Sequence, residues 1–151
     1  MNEKAIARAE EIIKSKTAEV NMGAGVTLSL LDHEGYPTTS TLSISKAEGI
    51  RQLTFTVALD SNKAKRAKAN SRASVCIFGD DFEGGAYYNI TLVGDVEILT
   101  DPEIKKAAWY QGLECHFPGG ADDPNYCVIK FVTKRYNLWV DVEEDETVGS
   151  F

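Results

Sequence analysis

A chain of 151 residues is long enough to bury one hydrophobic core. Its composition, 43% hydrophobic and 26% charged, is ordinary for a globular protein, and we predict a single domain over residues 1–151. The net charge is −7 at pH 7, yet the segment 63–72 carries five positive charges and no negative one, so the remainder carries −12. Binding to nucleic acid needs a broad basic surface, so this balance excludes a general nucleic-acid-binding protein and favours one small anionic ligand.

The cysteines and the N-terminal region predict a cytoplasmic protein with reduced thiols. Cys76, Cys115 and Cys127 are odd in number and widely spaced, so we expect neither a disulfide framework nor a metal site. Charged residues interrupt residues 1–20, and no apolar run approaches the length of a membrane span, so we expect no signal peptide and no membrane anchor.

Strand patterns dominate the chain, and helices are few. An amphipathic helix is predicted over residues 2–16, a short basic helix follows Asp60, and a third helix runs from Pro102 to about Gln111. The tail 141–146 is acidic and is expected to fray. Because strands and helices do not alternate, a doubly wound sheet is excluded and a small antiparallel β-barrel with helices at its rim is favoured. Strands are predicted at 26–31, 37–45, 53–59, 73–78, 86–99 and 126–140, with a bulge or bend at Gly94.

The start of the basic helix carries a signal for anion binding. Asp60 and Ser61 are good N-cap residues, and Lys63 would lie in the first turn, where the helix dipole disfavours a cation. A bound anion would reverse that penalty, because free backbone N–H groups and the lysine would both point at it. A solvated basic face is the alternative. Under the anion hypothesis the candidates are Ser61, Asn62 and Lys63, while Lys65, Arg66 and Lys68 form the solvated remainder of the helix.

Side chains suited to catalysis are sparse. Cys115 and His116 form a single adjacent pair, and His33 lies in a predicted turn. Neither a nucleophile elbow nor a positioned pair of carboxylates is present. We therefore predict no catalytic residue and no metal ligand, and expect a cofactor to supply any demanding chemistry.

Several short motifs occur in a characteristic order along the chain. They are Gly35-Tyr36-Pro37 before a hydroxyl-rich strand, Phe55-Thr56-Val57 before the helix start at 60–64, Val93-Gly94-Asp95, and a final strand that reaches Trp139. In this order they resemble the pyridoxamine 5′-phosphate oxidase-like family of FMN-binding split barrels, in particular its small general-stress branch. The resemblance spans nearly the whole chain and implies a six-stranded antiparallel split β-barrel that binds FMN at the interface of a homodimer.

The resemblance also implies a set of flavin-binding residues. Ser61, Asn62 and Lys63 would hold the FMN phosphate, although many members have arginine where this chain has Asn62, which removes a bidentate donor. Asn89 would contact the flavin ring, as would Trp139 of the partner subunit, with interface packing as the alternative role for the tryptophan. The strand residues that would line the flavin are Ser40, Thr41, Leu42, Ser43, Thr56 and Val57.

The implied activity is that of an FMN-dependent oxidoreductase, which passes electrons from a reduced nicotinamide donor to a small acceptor. The arginine, histidine and tyrosine set with which relatives bind pyridoxamine phosphate cannot be placed on the final strand, so we do not expect a true pyridoxamine phosphate oxidase. The alternatives are a non-enzymatic flavin-binding stress or carrier protein, and the same fold binding haem or a deazaflavin.

Overall fold

A curled antiparallel sheet dominates the computed structural model, which describes residues 2–81, 86–140 and 145–151. Three α-helices and two short 3-10 helices surround it. The elements are α1 (Asn2–Ser15), β1 (Val26–Leu31), β2 (Pro37–Leu42), β3 (Ile44–Glu48), β4 (Gln52–Ala58), α2 (Asn62–Ala69), β5 (Arg72–Asp81), β6 (Ala86–Leu99), α3 (Pro102–Ala108), the 3-10 helices Leu113–Cys115 and Gly120–Asp122, β7 (Tyr126–Trp139) and β8 (Thr147–Ser150).

One bent segment closes the sheet on itself. The strand order is β2-β1-β5-β6-β7-β4-β3, with β8 also paired to β7. β2 and β3 lie at the two ends of this order, yet only Ser43 separates them along the chain. At Ser43 the segment leaves its pairing with β1 and begins to pair with β4. The sheet therefore curls into a barrel, and the predicted mainly β split-barrel class is confirmed.

The number of strands differs from the prediction for two reasons. The bend at Ser43 divides the predicted strand 37–45, and the second part continues to Glu48. β8 was not expected, because its four residues alternate too briefly to stand out from the acidic tail. Within that tail, 141–144 lie outside the described residues, while Asp145 and Glu146 belong to no strand or helix.

β7 is the strand around which the sheet is arranged. Along one edge its first half pairs with β4 and its second half with β8, while β6 pairs along the other edge. The register between β6 and β7 shifts at Gly94, and Lys134 is the extra residue on β7. The bulge predicted near Gly94 is therefore present.

The barrel interior is a packed apolar core. Leu92 on β6 and Phe131 on β7 are fully buried, and α1 adds Ile13, which is also fully buried. A second cluster, around Phe117 and Tyr126, packs α3 and the 3-10 helices against the outside of the sheet. Because side chains fill the interior, a ligand of flavin size would have to bind on the outside of the barrel.

Candidate functional site

The first turn of α2 presents hydrogen-bond donors without acceptors. Ser61 is the N-cap, and its hydroxyl oxygen accepts a hydrogen bond from the backbone N–H of Ala64 at 3.2 Å. The backbone N–H groups of Asn62 and Lys63 have no partner among the described residues, as is usual at a helix start. No acidic residue lies in this turn. These two N–H groups are therefore free to bind an anion.

Four cations, Lys63, Lys65, Arg66 and Lys68, lie on α2. Ala67 packs into the core, while Lys63 and Arg66 are half-buried beside it and Lys65 and Lys68 point to solvent. None of the four cations forms a salt bridge with a described residue. This part of the surface is therefore a positive island on an acidic protein.

The Asp32 turn lies beside this island. Hydrogen bonds from the backbone N–H groups of Tyr36 and then Glu34 hold the pKa of the Asp32 carboxyl below its usual range, although partial burial opposes them. The positive charge of Arg66 contributes in the same direction. Lys63 lies one helical turn before Arg66, closer to the helix start.

The bend of the closing segment lies next to the strand that leads into α2. Ile44 pairs with Phe55, so Ser43, just before β3, lies next to Thr56 on β4. Both are half-buried, and the Ser43 hydroxyl donates to the carbonyl oxygen of Ala24 at 3.1 Å.

Nine of the eleven residues predicted to bind flavin lie in one region of the chain. This region comprises the bend at Ser43, the end of β4 and the start of α2.

Individual predicted residues differ in what their side chains can contact. Ser40 and Leu42 are half-buried on one face of β2, whereas Thr41 is exposed on the opposite face. The side chain of Val57 is 96% buried in the core, so Val57 could offer a ligand only its backbone.

Asn89 and Trp139 lie in a different part of the molecule. They are direct cross-strand partners on β6 and β7. Thr56 pairs with Val128, eleven residues before Trp139 on the same strand, which is about 36 Å of strand length. The single chain therefore brings nine of the predicted residues together and leaves these two at the far end of β7.

Aromatic rings surround Asn89 on the outer face of the sheet. Phe78 on β5 lies directly opposite Asn89, which lies directly opposite Trp139. The ring of Tyr87 lies 5.3 Å from that of Phe78 and 5.0 Å from that of Trp139, in edge-to-face geometry with both. We call Phe78, Tyr87 and Trp139, with Asn89 between them, the aromatic enclosure. Sequence reasoning missed Phe78 and Tyr87, although the alternation along β5 and β6 places both on the outer face.

Two buried ionisable groups near α3 have structural roles. Burial raises the pKa of the Cys127 thiol to about 11, and it also raises the pKa of the Tyr126 hydroxyl. That hydroxyl donates to the carbonyl oxygen of Lys105, whose ammonium group donates to the carbonyl oxygen of Asp123. These contacts fasten α3 to the loop before β7 and hold no group ready for proton transfer.

The described ranges contain neither a metal-ligand cluster nor a helix suited to spanning a membrane. Within 2–81, 86–140 and 145–151 no three histidine, cysteine or acidic side chains are grouped closely enough to hold a metal ion. Both histidines, His33 and His116, are exposed. No helix in those ranges is both long and apolar enough to span a bilayer.

The closed antiparallel sheet, packed interior and rim helices define a split β-barrel. The chain belongs to the pyridoxamine 5′-phosphate oxidase-like family, because the family model described as "Pyridoxamine 5'-phosphate oxidase like" matches residues 12–149. No curated protein sequence matches the chain.

Solved structures share this fold at low sequence identity. A protein related to general stress protein 26, of the pyridoxinephosphate oxidase family, from Clostridium acetobutylicum is 22% identical, with 100% of this chain and 97% of that chain covered and a TM-score of 0.78. General stress protein 26 from Bacillus anthracis is 18% identical, with 97% and 98% covered and a TM-score of 0.73. A heme binding protein from Mycobacterium smegmatis is 20% identical, with 97% and 57% covered and a TM-score of 0.72.

Proposed function

We propose that this protein binds FMN and acts as an oxidoreductase, passing electrons from a reduced nicotinamide donor to a small acceptor. The observation that carries the proposal is the first turn of α2, which holds Lys63 and two free backbone N–H groups and contains no acidic residue. A phosphate monoester supplies the negative charge and acceptor oxygens that this turn needs.

The residues present fit an FMN phosphate. Its oxygens would accept hydrogen bonds from the N–H groups of Asn62 and Lys63 and from the Lys63 ammonium group. The Ser61 hydroxyl, whose oxygen already caps the helix, keeps its hydrogen for a further donation. The Asn62 amide can donate to one oxygen but lacks the bidentate fork of an arginine, so we expect weaker phosphate binding than an arginine would give.

A second copy of the chain would complete the site. Asn89 and Trp139 lie far along β7 from the position that pairs with Thr56, and a second copy would present them to the α2 start of the first. A homodimer with two-fold symmetry would bring the Asn89 face of one copy to the α2 start of the other, and would form two equivalent sites. The proposed assembly is therefore a homodimer with flavin at the interface.

In the proposed site the flavin would supply the redox chemistry, and the protein residues would bind and orient the flavin. The bound flavin would supply hydride and electron transfer, which need no acid–base pair from the protein. The α2 turn would anchor the phosphate, the bend at Ser43 and Thr56 would flank the ligand, and Asn89 would donate a hydrogen bond to the ring edge. These roles agree with the sequence, in which we predict no catalytic residue.

A non-enzymatic flavin carrier is the second candidate, since nothing in the phosphate site requires turnover. Haem is a weaker candidate, although one protein of this fold is described as heme binding. Histidine is the usual haem ligand, but His33 and His116 lie in an exposed turn and an exposed loop, so neither offers a buried axial ligand.

The first test is FMN binding followed by turnover. Titration of flavin-free protein into FMN should quench the flavin fluorescence to saturation, while riboflavin, which lacks the phosphate, should bind much more weakly. Equal affinity for the two would contradict the phosphate site. Consumption of NADH or NADPH by the loaded protein supports the enzyme, whereas tight FMN binding without turnover with any common acceptor supports the carrier.

Subunit complementation tests whether the site is shared. The first variant carries Ser61→Ala and Lys63→Ala, and the second variant carries Asn89→Ala and Trp139→Ala. The homodimer of either variant has both of its flavin sites damaged. Random mixing after refolding yields heterodimers with one intact and one doubly damaged site, so about a quarter of the wild-type flavin sites should return. A site built within one chain would recover none.

A further inference from the structure

Asn125, the residue just before β7, contacts the segment that leads into α2. Its backbone carbonyl oxygen accepts a hydrogen bond from the N–H of Leu59 at 2.6 Å. Its side-chain oxygen accepts a second hydrogen bond, from the N–H of Asp60 at 3.1 Å, across 65 residues of sequence. One residue from a distant loop therefore binds two consecutive backbone N–H groups beside the α2 start.

These two N–H groups belong to the middle of a β-turn that joins β4 to α2. The turn runs from Ala58 to Ser61, and the N–H of Ser61 donates to the carbonyl oxygen of Ala58 at 3.0 Å. The central residues of such a turn have no backbone acceptor within it, so their N–H groups need partners elsewhere. Asn125 supplies both acceptors, and thereby fixes the peptide planes that precede the N-cap Ser61.

Asn125 is itself held in place through Asp123. The Asp123 carboxylate accepts hydrogen bonds from the backbone N–H groups of Asn125 and Gly119, both at 2.9 Å. The carbonyl oxygen of Asp123 accepts a hydrogen bond from the ammonium group of Lys105 on α3 at 3.0 Å. Lys105 is only 8% exposed, so this attachment lies within the packed part of the protein. The contacts of Asn125 therefore connect the start of α2 to a loop that is fastened to α3.

We propose that Asn125 is a positioning residue of the phosphate site, which sets the direction of the free N–H groups in the first turn of α2. Asn62 and Lys63 follow the turn directly, so a rotation of the peptide plane at Asp60 would also reorient Ser61 and the N–H groups after it. A phosphate at a helix start depends on several N–H groups that point at it together. This role rests on the proposed function, whereas the hydrogen bond to Asp60 forms without a ligand.

The preference for FMN over riboflavin measures the role, because the two ligands differ only in the phosphate. Asn125→Ala removes the side-chain acceptor of the Asp60 N–H and keeps the backbone carbonyl oxygen that binds Leu59. The affinity for FMN should fall about three- to tenfold, the scale of one hydrogen bond, while the affinity for riboflavin should stay within about twofold. Fluorescence titration of flavin-free protein measures both affinities.

Asn70→Ala is the matched control at the other end of the same helix. Asn70 is the C-cap of α2, and its side-chain oxygen accepts a hydrogen bond from the backbone N–H of Arg72 at 3.0 Å. Both substitutions remove one hydrogen bond from an asparagine side chain, and both should lower the urea midpoint. Only Asn125→Ala should change the ratio of FMN affinity to riboflavin affinity. An equal change of this ratio in Asn70→Ala would overturn the proposal, since any loosening of α2 would then have the same effect.

Amide hydrogen exchange of the flavin-free protein tests the contact without a ligand. The Asp60 N–H should exchange faster in Asn125→Ala than in the wild type, while the Leu59 N–H keeps its protection from the carbonyl oxygen that alanine retains. Equal exchange rates of the Asp60 N–H in the two proteins would overturn the proposal.

The affinities separate failure of this inference from failure of the proposed function. A wild-type chain that binds FMN no better than riboflavin has no phosphate site, and the proposed function fails together with the role of Asn125. A wild-type preference for FMN that Asn125→Ala retains in full overturns the positioning role alone.

Discussion

The carbonyl oxygen of Val132 on β7 lies so close to Gly94 on β6 that a β-carbon added there would be 2.0 Å from it. This contact occurs at the bulge, where Lys134 is the extra residue and the two strands change register. The atom in the way belongs to the backbone, so it cannot move without breaking the pairing of β6 and β7. The longest ladder of the barrel therefore depends on glycine at this position.

Gly94→Ala should lower the free energy of unfolding by about 3 kcal/mol, the upper range for overpacking a tight site. Urea denaturation measures this change. Gly23→Ala is the matched control, since a β-carbon there would meet nothing closer than 3.8 Å. A Gly94→Ala protein as stable as the control would show that the strands can separate at the bulge without cost.

Lys63→Ala should weaken FMN binding by about 1–3 kcal/mol, because it removes one charged hydrogen bond to the phosphate. Lys65→Ala makes the same change in net charge, but Lys65 points to solvent two residues further along α2. Fluorescence titration with FMN measures the affinity of both variants. Lys63→Ala reports the loss of a phosphate contact, and Lys65→Ala reports the effect of net charge alone. Equal losses would identify α2 as a solvated basic face.

Ser61→Ala and Asp101→Ala both remove a helix N-cap, and each should cost about 1 kcal/mol of stability in denaturant unfolding. Ser61 caps the backbone N–H of Ala64, whereas Asp101 caps those of Glu103 and Ile104 at the start of α3. Only Ser61→Ala should also reduce FMN affinity. A parallel loss of affinity in Asp101→Ala would mean that general destabilisation, not a phosphate contact, explains the effect.

Stability should fall as the pH rises from about 9 toward 11. The Cys127 thiol has an ordinary pKa of 9.0, and burial raises it to about 11 in the folded state, so the unfolded chain loses this proton first. The contribution of the thiol to the free energy of unfolding is therefore complete below pH 9. It is lost as the pH rises toward 11, because ionisation of the thiol favours the unfolded state. Urea midpoints measured across this range should fall less steeply in Cys127→Ala. Identical slopes would show that the thiol is not the group responsible.

Local patterns predicted much of the fold. The alternation of side chains located most of the strands, including Ala86–Leu99 without error, and capping residues located the starts of α2 and α3. These features depend on neighbours within a few residues, which the sequence displays directly. The predicted helix to about Gln111 instead ends at Ala108, because Trp109 already has extended backbone angles and packs against Phe117 and Tyr126.

The sequence by itself determined the family, the basic start of α2 and the identity of the residues that could hold a phosphate. Only the tertiary structure decided how those residues are distributed. The bend at Ser43 brings the hydroxyl-rich segment to the end of β4, while Trp139 lies at the opposite end of β7 from the residue that pairs with Thr56. Which residues meet depends on strand pairing between distant parts of the chain, and pairing is set by burial and register across the whole barrel. For the same reason the ring cluster around Asn89 is visible only once β5, β6 and β7 lie side by side.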